Sequence, residues 1–172
     1  MLTLRPFAAS DMRLLHDWLC RPHIAQWWGA APSYAEVEDH YLAFTSPESS
    51  IKGYIAMLRG RAIGFGQSYV VIGSGEGWWE DEDDPGARGI DQFLANAEEL
   101  NKGFGTALVR ALVEHLFEDP SVTKIQTDPA PDNDRAIRCY EKAGFVAYSE
   151  VVTPDGAAVL MLRRRATPDE PR

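Results

Sequence analysis

The chain has 172 residues, 45% of them hydrophobic and 25% charged, which fits one globular domain with a proper core. Its formal net charge of −9 repels phosphate backbones and argues against nucleic acid as a partner, while favouring polycations. The opening residues Met1 to Phe7 hold no long apolar run and no window approaches a membrane span, so the expectation is a cytoplasmic protein without membrane contact.

In chain order, Leu2-Thr3-Leu4-Arg5 alternates as a strand. Ser10 and Asp11 are expected to cap a helix bearing Met12, Leu15, Trp18 and Leu19 on one face, with Pro22 ending it. His23 to Gly29 reads as a loop with two adjacent indoles, Trp27 and Trp28. Ser33 and Glu36 form a capping box for a helix from Tyr34 to about Phe44. Tyr54 to Leu58 and Ala62 to Val71 make a hairpin about Arg59-Gly60.

The loop from Gly73 to Gly86 is rich in glycine and acid. Its glycines precede an acidic run and no helix, which excludes a dinucleotide motif. Ala87 to Ala95 reads as a strand. Asn101-Lys102-Gly103-Phe104-Gly105-Thr106 then opens a helix with Leu108, Val109, Leu112, Val113 and Leu116 buried. Glycines at a helix mouth leave backbone N–H groups unpaired at the positive end of the helix dipole, which suits a phosphate. Val122 to Asp128 is a strand and Pro129 to Asp132 a rigid loop. Asn133 to Ala143 is a helix with Ala136, Ile137 and Tyr140 on one face, stopped by Gly144. Phe145 to Val152 and Ala158 to Leu162 are strands about a Pro154-Asp155-Gly156 turn. The pattern predicts one domain over residues 1–165, an α/β fold with a single mixed, mostly antiparallel sheet and helices on its faces, followed by a flexible tail over residues 166–172.

Cys20 and Cys139 are far apart and lack ligand spacing, and His16, His23, His40 and His115 are scattered, so no metal is expected. No nucleophile-elbow context is present either.

Asn133-x-Arg135-Ala136-x-x-x-Tyr140-Glu141-Lys142-x-Gly144-Phe145 resembles the closing helix of the GNAT N-acetyltransferase superfamily, and the Gly103-x-Gly105 mouth resembles its pyrophosphate loop. That loop departs from the common form at Leu100 and Asn101, which touches a side-chain contact and leaves the backbone cradle intact. Trp27-Trp28-Gly29, Gln67-Ser68-Tyr69, Gly77-Trp78-Trp79-Glu80, Arg88-Gly89-Ile90-Asp91-Gln92, Lys124 to Pro129 and Thr153 to Gly156 further resemble the aminoglycoside 6'-N-acetyltransferases, over nearly the whole chain.

The resemblance implies acetyl transfer from acetyl-CoA to an aminoglycoside amine by direct attack in a ternary complex, conferring antibiotic resistance. It places coenzyme contacts at Phe93, Leu94, Ala95, Lys102, Gly103, Phe104, Gly105, Thr106, Asn133, Ala136 and Lys142. It assigns Asp91 to the reacting amine, taking its proton directly or through water, and Tyr140 to the leaving thiolate as general acid. Substrate contacts are expected from Trp27, Trp28, Tyr69, Glu76, Trp78, Asp91, Asp128 and Asp155, where Glu76 stands in place of the Asp of close relatives. The seven carboxylates from Glu76 to Asp91, opposed only by Arg88, fit a multiply protonated sugar. A monomer or weak homodimer is expected. Two alternatives remain open at this stage: an acyltransferase for another amine (a polyamine, a siderophore hydroxylysine or a protein N-terminus), and a module that binds cationic drugs without chemistry.

Overall fold

The computed structural model describes residues 1–167 of the chain. Seven strands form one sheet: β1 (Leu2–Pro6), β2 (Ile51–Leu58), β3 (Arg61–Val70), β4 (Ala87–Leu94), β5 (Lys124–Thr127), β6 (Val146–Thr153) and β7 (Gly156–Arg164). Their order is β1-β2-β3-β4-β5-β7-β6, and every neighbour pair is antiparallel except β4 with β5. The expected mixed sheet is therefore present. The β2–β3 hairpin closes on Arg59 and Gly60, both with positive φ, the backbone a two-residue turn of matching twist requires.

Helices α1 (Met12–Leu19), α2 (Pro22–Trp28) and α3 (Tyr34–Tyr41) cover one face, and α4 (Phe104–Phe117) and α5 (Asp134–Lys142) the other. Strand alternation divides the core between them. Ile55, Phe65 and Phe93 pack with Leu15, Trp18, Val37 and Phe44, whereas Ala56 and Leu94 meet Leu108 and Leu112. Around α5, Tyr140 packs with Ile90, Val109, Val113, Ile125 and Met161.

Three local expectations need correction. Asp11 does not cap α1 through its side chain. Its carboxylate instead takes both Arg5 nitrogens at 2.8 Å and the Ala8 N–H, and that pairing holds its pKa below the usual range despite burial. Residues 23–28 are helical, because Pro22 occupies the first helical position of α2, where its missing N–H costs nothing. The helix begun by the Ser33–Glu36 box tightens into a 3-10 turn over Leu42–Thr45. Of the C-terminal segment, Ala166 and Thr167 carry no regular structure, and residues 168–172 lie outside the described residues.

What positions the site is the way β4 and β5 part. They pair only from Ala87↔Lys124 to Gly89↔Gln126. Beyond Gly89 the C-terminal half of β4 has β3 on one side and an opening on the other.

Candidate active site

The opening leads into two cavities. The larger, about 550 Å³, is lined by Trp27, Trp28, Tyr69, Trp78, Asp91, Asp128, Asp155 and Tyr140 among others. The smaller, about 230 Å³, is lined by Leu94, Gly103, Gly105, Thr106, Ala136 and Lys142 among others. Trp27, Trp28, Gln92, Asn133 and Ala136 border both, so the two spaces join along β4 and the start of α5.

The smaller cavity is built from backbone. Ala95 N–H donates to Ile63 O at 2.8 Å, so strand alternation turns the main-chain groups of Gln92 and Leu94 away from β3, towards the gap left by β5. His23 Nε2 is 2.9 Å from Leu94 O, and Arg21 donates to Ala95 O at 2.7 Å and to Asn96 Oδ1 at 2.6 Å. An extended amide-bearing arm can lie along β4 and pair with the backbone of Gln92 and the N–H of Leu94 as an added strand would. Ala95 is not part of that edge: both of its backbone groups are taken and its side chain is buried. Phe93 reaches the cavity wall, but its ring serves the core, 4.9 Å from Trp28 and 5.7 Å from Phe65.

At the mouth of α4, Asn101 and Gly103 both have positive φ, and the first backbone bond of the helix is Ala107 N–H to Gly103 O, at 3.0 Å. The N–H groups ahead of it have no helical partner, and a Cβ at Gly103 would meet nothing within 4 Å. This is open room before a helix N-terminus, with Arg135, Arg138 and Lys142 on the opposite wall. Arg135 Nε also ties the rim together by donating to Asn101 Oδ1 at 3.2 Å. The residues fit the diphosphate and pantetheine arm of a coenzyme A. Lys102 is exposed and Phe104 packs in the core below, so neither borders the cavity. Asn133 caps α5, its Oδ1 accepting from Ala136 N–H at 3.2 Å, and keeps its amide nitrogen for the seam.

The larger cavity is acidic. Asp91 comes from β4, Asp128 from the end of β5 and Asp155 from the β6–β7 turn, where Thr153 Oγ1 accepts from Asp155 N–H. Among the described residues no lysine or arginine lines it, and His40 is its only basic side chain. Burial raises the Asp91 pKa, against a lowering hydrogen bond from Gln67 and with a further push from Asp155. Burial, then Asp91 and Asp155, raise Asp128 to about 8. Tyr140 is buried; burial and then Asp91 hold its phenol well above the ordinary range. Facing carboxylates without a counter-ion are a site for a cation.

Glu76, expected among the substrate contacts, is exposed and is not among the residues that line the cavity. The rest of the acidic run serves the loop itself. Glu82 pairs with Lys124 at 2.8 Å, Asp84 accepts from Thr123 Oγ1 at 2.6 Å and from Gly86 N–H at 2.8 Å, and Glu80 accepts from Gly77 N–H at 3.0 Å. These bonds hold Trp78 and Trp79 at the cavity. The Tyr69 ring lies where any Gly89 side chain would be, within 2.0 Å of an added Cβ. Sequence reasoning places Gln92 on the coenzyme edge of β4 but gives no part to His23, Arg21, Arg138 or Gly89. A helical reading of Pro22 to Trp28 would have drawn notice to His23, and the Arg138–Lys142 spacing on α5 to Arg138.

Residues 8–153 match the acetyltransferase (GNAT) domain family. An aminoglycoside N(6')-acetyltransferase type 1 of Klebsiella pneumoniae is 59% identical over 167 residues, covering 95% of this chain and 83% of that protein. A kanamycin resistance protein of Rhizobium radiobacter is 70% identical over 88 residues, covering 51% of this chain and 82% of its own. The crystal structure of the aminoglycoside acetyltransferase AAC(6')-Ib in complex with coenzyme A and kanamycin superposes with a TM-score of 0.92, at 58% identity and with 96% and 95% of the two chains covered.

Proposed function

The chain belongs to the GNAT acetyltransferase family, and from that premise we propose which of its residues carry out its reaction. The protein is an acetyl-CoA-dependent aminoglycoside 6'-N-acetyltransferase, an activity that confers aminoglycoside resistance. The observation that carries the assignment of roles is the seam: a cationic-walled coenzyme cleft opens into a cavity whose carboxylates meet no lysine or arginine among the described residues.

Acetyl-CoA supplies the activated acetyl group. The unpaired N–H of Leu94 or Gln92 is the donor for the thioester oxygen, and the α4 mouth with Arg135, Arg138 and Lys142 holds the phosphates. Asp128 and Asp155 bind ammonium groups of the drug, and Trp27, Trp28 and Trp78 give its rings apolar walls. Asp91 holds the reacting 6'-ammonium and takes its proton, directly or through one water, as the nitrogen attacks. A carboxylate with a raised pKa accepts that proton more readily than an ordinary one. Tyr140, which keeps its proton at neutral pH, is the donor to the departing sulfur.

Asp91→Asn tests the reading. Turnover with kanamycin is expected to fall by about 10² or more while acetyl-CoA still binds. Near-normal turnover in that variant removes Asp91 from its role.

A further inference from the structure

Gln67 sits opposite Asp91 in the β3–β4 register, so the two side chains share a face of the sheet. Gln67 Nε2 donates to Asp91 Oδ2 at 2.9 Å. Among the described residues this is the only side-chain or backbone donor to that carboxylate. Everything else facing Asp91 works against its charge or is neutral: Asp128 from β5, Asp155 from the β6–β7 turn, Tyr69 from β3, Tyr41 from α3 and Tyr140 from α5. His40 is the one basic side chain that the described residues bring to the same cavity.

The other end of the Gln67 amide is the second observation. Its Oε1 is buried and has no hydrogen-bond partner among the described residues. A buried acceptor without a donor is unfavourable for folding, so an apolar side chain of similar size is the better choice for stability alone. The amide cannot improve matters by turning over, because Oε1 would then face the Asp91 carboxylate. It is pinned in one orientation by what it does for its neighbour.

We propose that Gln67 is a positioning residue for acetyl transfer: its amide N–H keeps Asp91 ionised and fixes one carboxylate oxygen, leaving Oδ1 free for the substrate amine. The proposal rests on Asp91 acting at that amine. It assigns to β3 a part in the reaction exercised through the Asp91 carboxylate, at the wall of the same cavity.

The test is Gln67→Met, which keeps the bulk and removes the donor, with Gln67→Glu as a second variant that keeps the shape. In protein labelled with ¹³C at the aspartate carboxyls, with the Asp91 signal assigned by its loss in Asp91→Asn, the Asp91 titration midpoint is followed by NMR. We expect it to rise by about one pH unit in Gln67→Met, the size of shift that a hydrogen bond to a charged group supports, and further in Gln67→Glu. At pH 7, kcat/KM for kanamycin should fall, by up to about tenfold, with KM for acetyl-CoA unchanged and the thermal midpoint of Gln67→Met no lower than that of the parent. An unmoved Asp91 midpoint overturns the proposal. So does a raised midpoint with parental kcat/KM at neutral pH, or a loss of activity that is equal at every pH and accompanied by lower stability. Full turnover in Asp91→Asn would instead remove the role of Asp91 while leaving the midpoint shift in place, so the two failures are distinguishable.

Discussion

Two glycines set the limits of the site at the scale of single residues. Gly103 has φ +85° before open space, so an alanine there meets no neighbour but must hold a left-handed backbone at a cost of about 1–2 kcal/mol. Gly103→Ala is expected to lower stability by that amount and to raise KM for acetyl-CoA, leaving KM for kanamycin near parental, as steady-state kinetics and thermal melts will show. Gly89 is the converse case. Its φ is ordinary, and the Tyr69 ring occupies the space of its missing side chain. Its role was invisible in the sequence, because nothing along the chain says which ring crosses the neighbouring strand. Asp91 and Tyr140 could be singled out, but only through the family pattern, since spacing alone makes Tyr140 a core aromatic. A count of charge along the loop carries no information about which side chains face inward, so it does not separate the exposed Glu76 from Asp91, which lines the cavity.

The legibility of each element follows the strength of its local signal. The capping box at Ser33 and Glu36, the Arg59-Gly60 turn and the apolar stripe of α4 name their own structures. α2 was missed because proline has two meanings at a helix: a stop, or a first residue. That error hid the elements that frame β4, since α2 carries His23, Trp27 and Trp28, and Arg21 precedes it. The parting of β4 and β5 was equally beyond the sequence, because register is a relation between strands.

The acidic loop shows how one element serves another. Lys124 of β5, largely buried, clamps it through Glu82, and Thr123 does so through Asp84. Lys124→Met should free the loop and raise KM for kanamycin severalfold, with KM for acetyl-CoA unmoved. Equal changes in both constants would show that the clamp acts on the fold as a whole.

For the molecule as a whole, the acidic cavity sets binding against stability. Asp128 holds its proton to about pH 8 in the folded chain, whereas an unfolded aspartate loses it near pH 3.9. The folded state is thus favoured below about pH 4 and loses that advantage as the pH climbs towards 8. Asp128→Asn is expected to raise the thermal midpoint of the free protein at pH 8, to change it much less at pH 4, and to weaken kanamycin binding. A lower midpoint at pH 8 would mean that the carboxylate is stabilised in the folded protein. The net charge of −9 acts in the same sense on encounter: kcat/KM for a polycationic drug should fall about tenfold or more from low to high salt.

The central claim is that the drug's 6'-nitrogen meets the coenzyme at the seam between the two cavities, under Asp91. A crystal structure of this protein with coenzyme A and kanamycin tests it most directly. The account predicts that nitrogen within about 3 Å of Asp91, or bridged to it by one water, with the coenzyme sulfur beside Tyr140 and the diphosphate at Gly103 to Thr106. A drug bound with its 6'-nitrogen against Asp128 or Asp155, and Asp91 facing no amine, would contradict it.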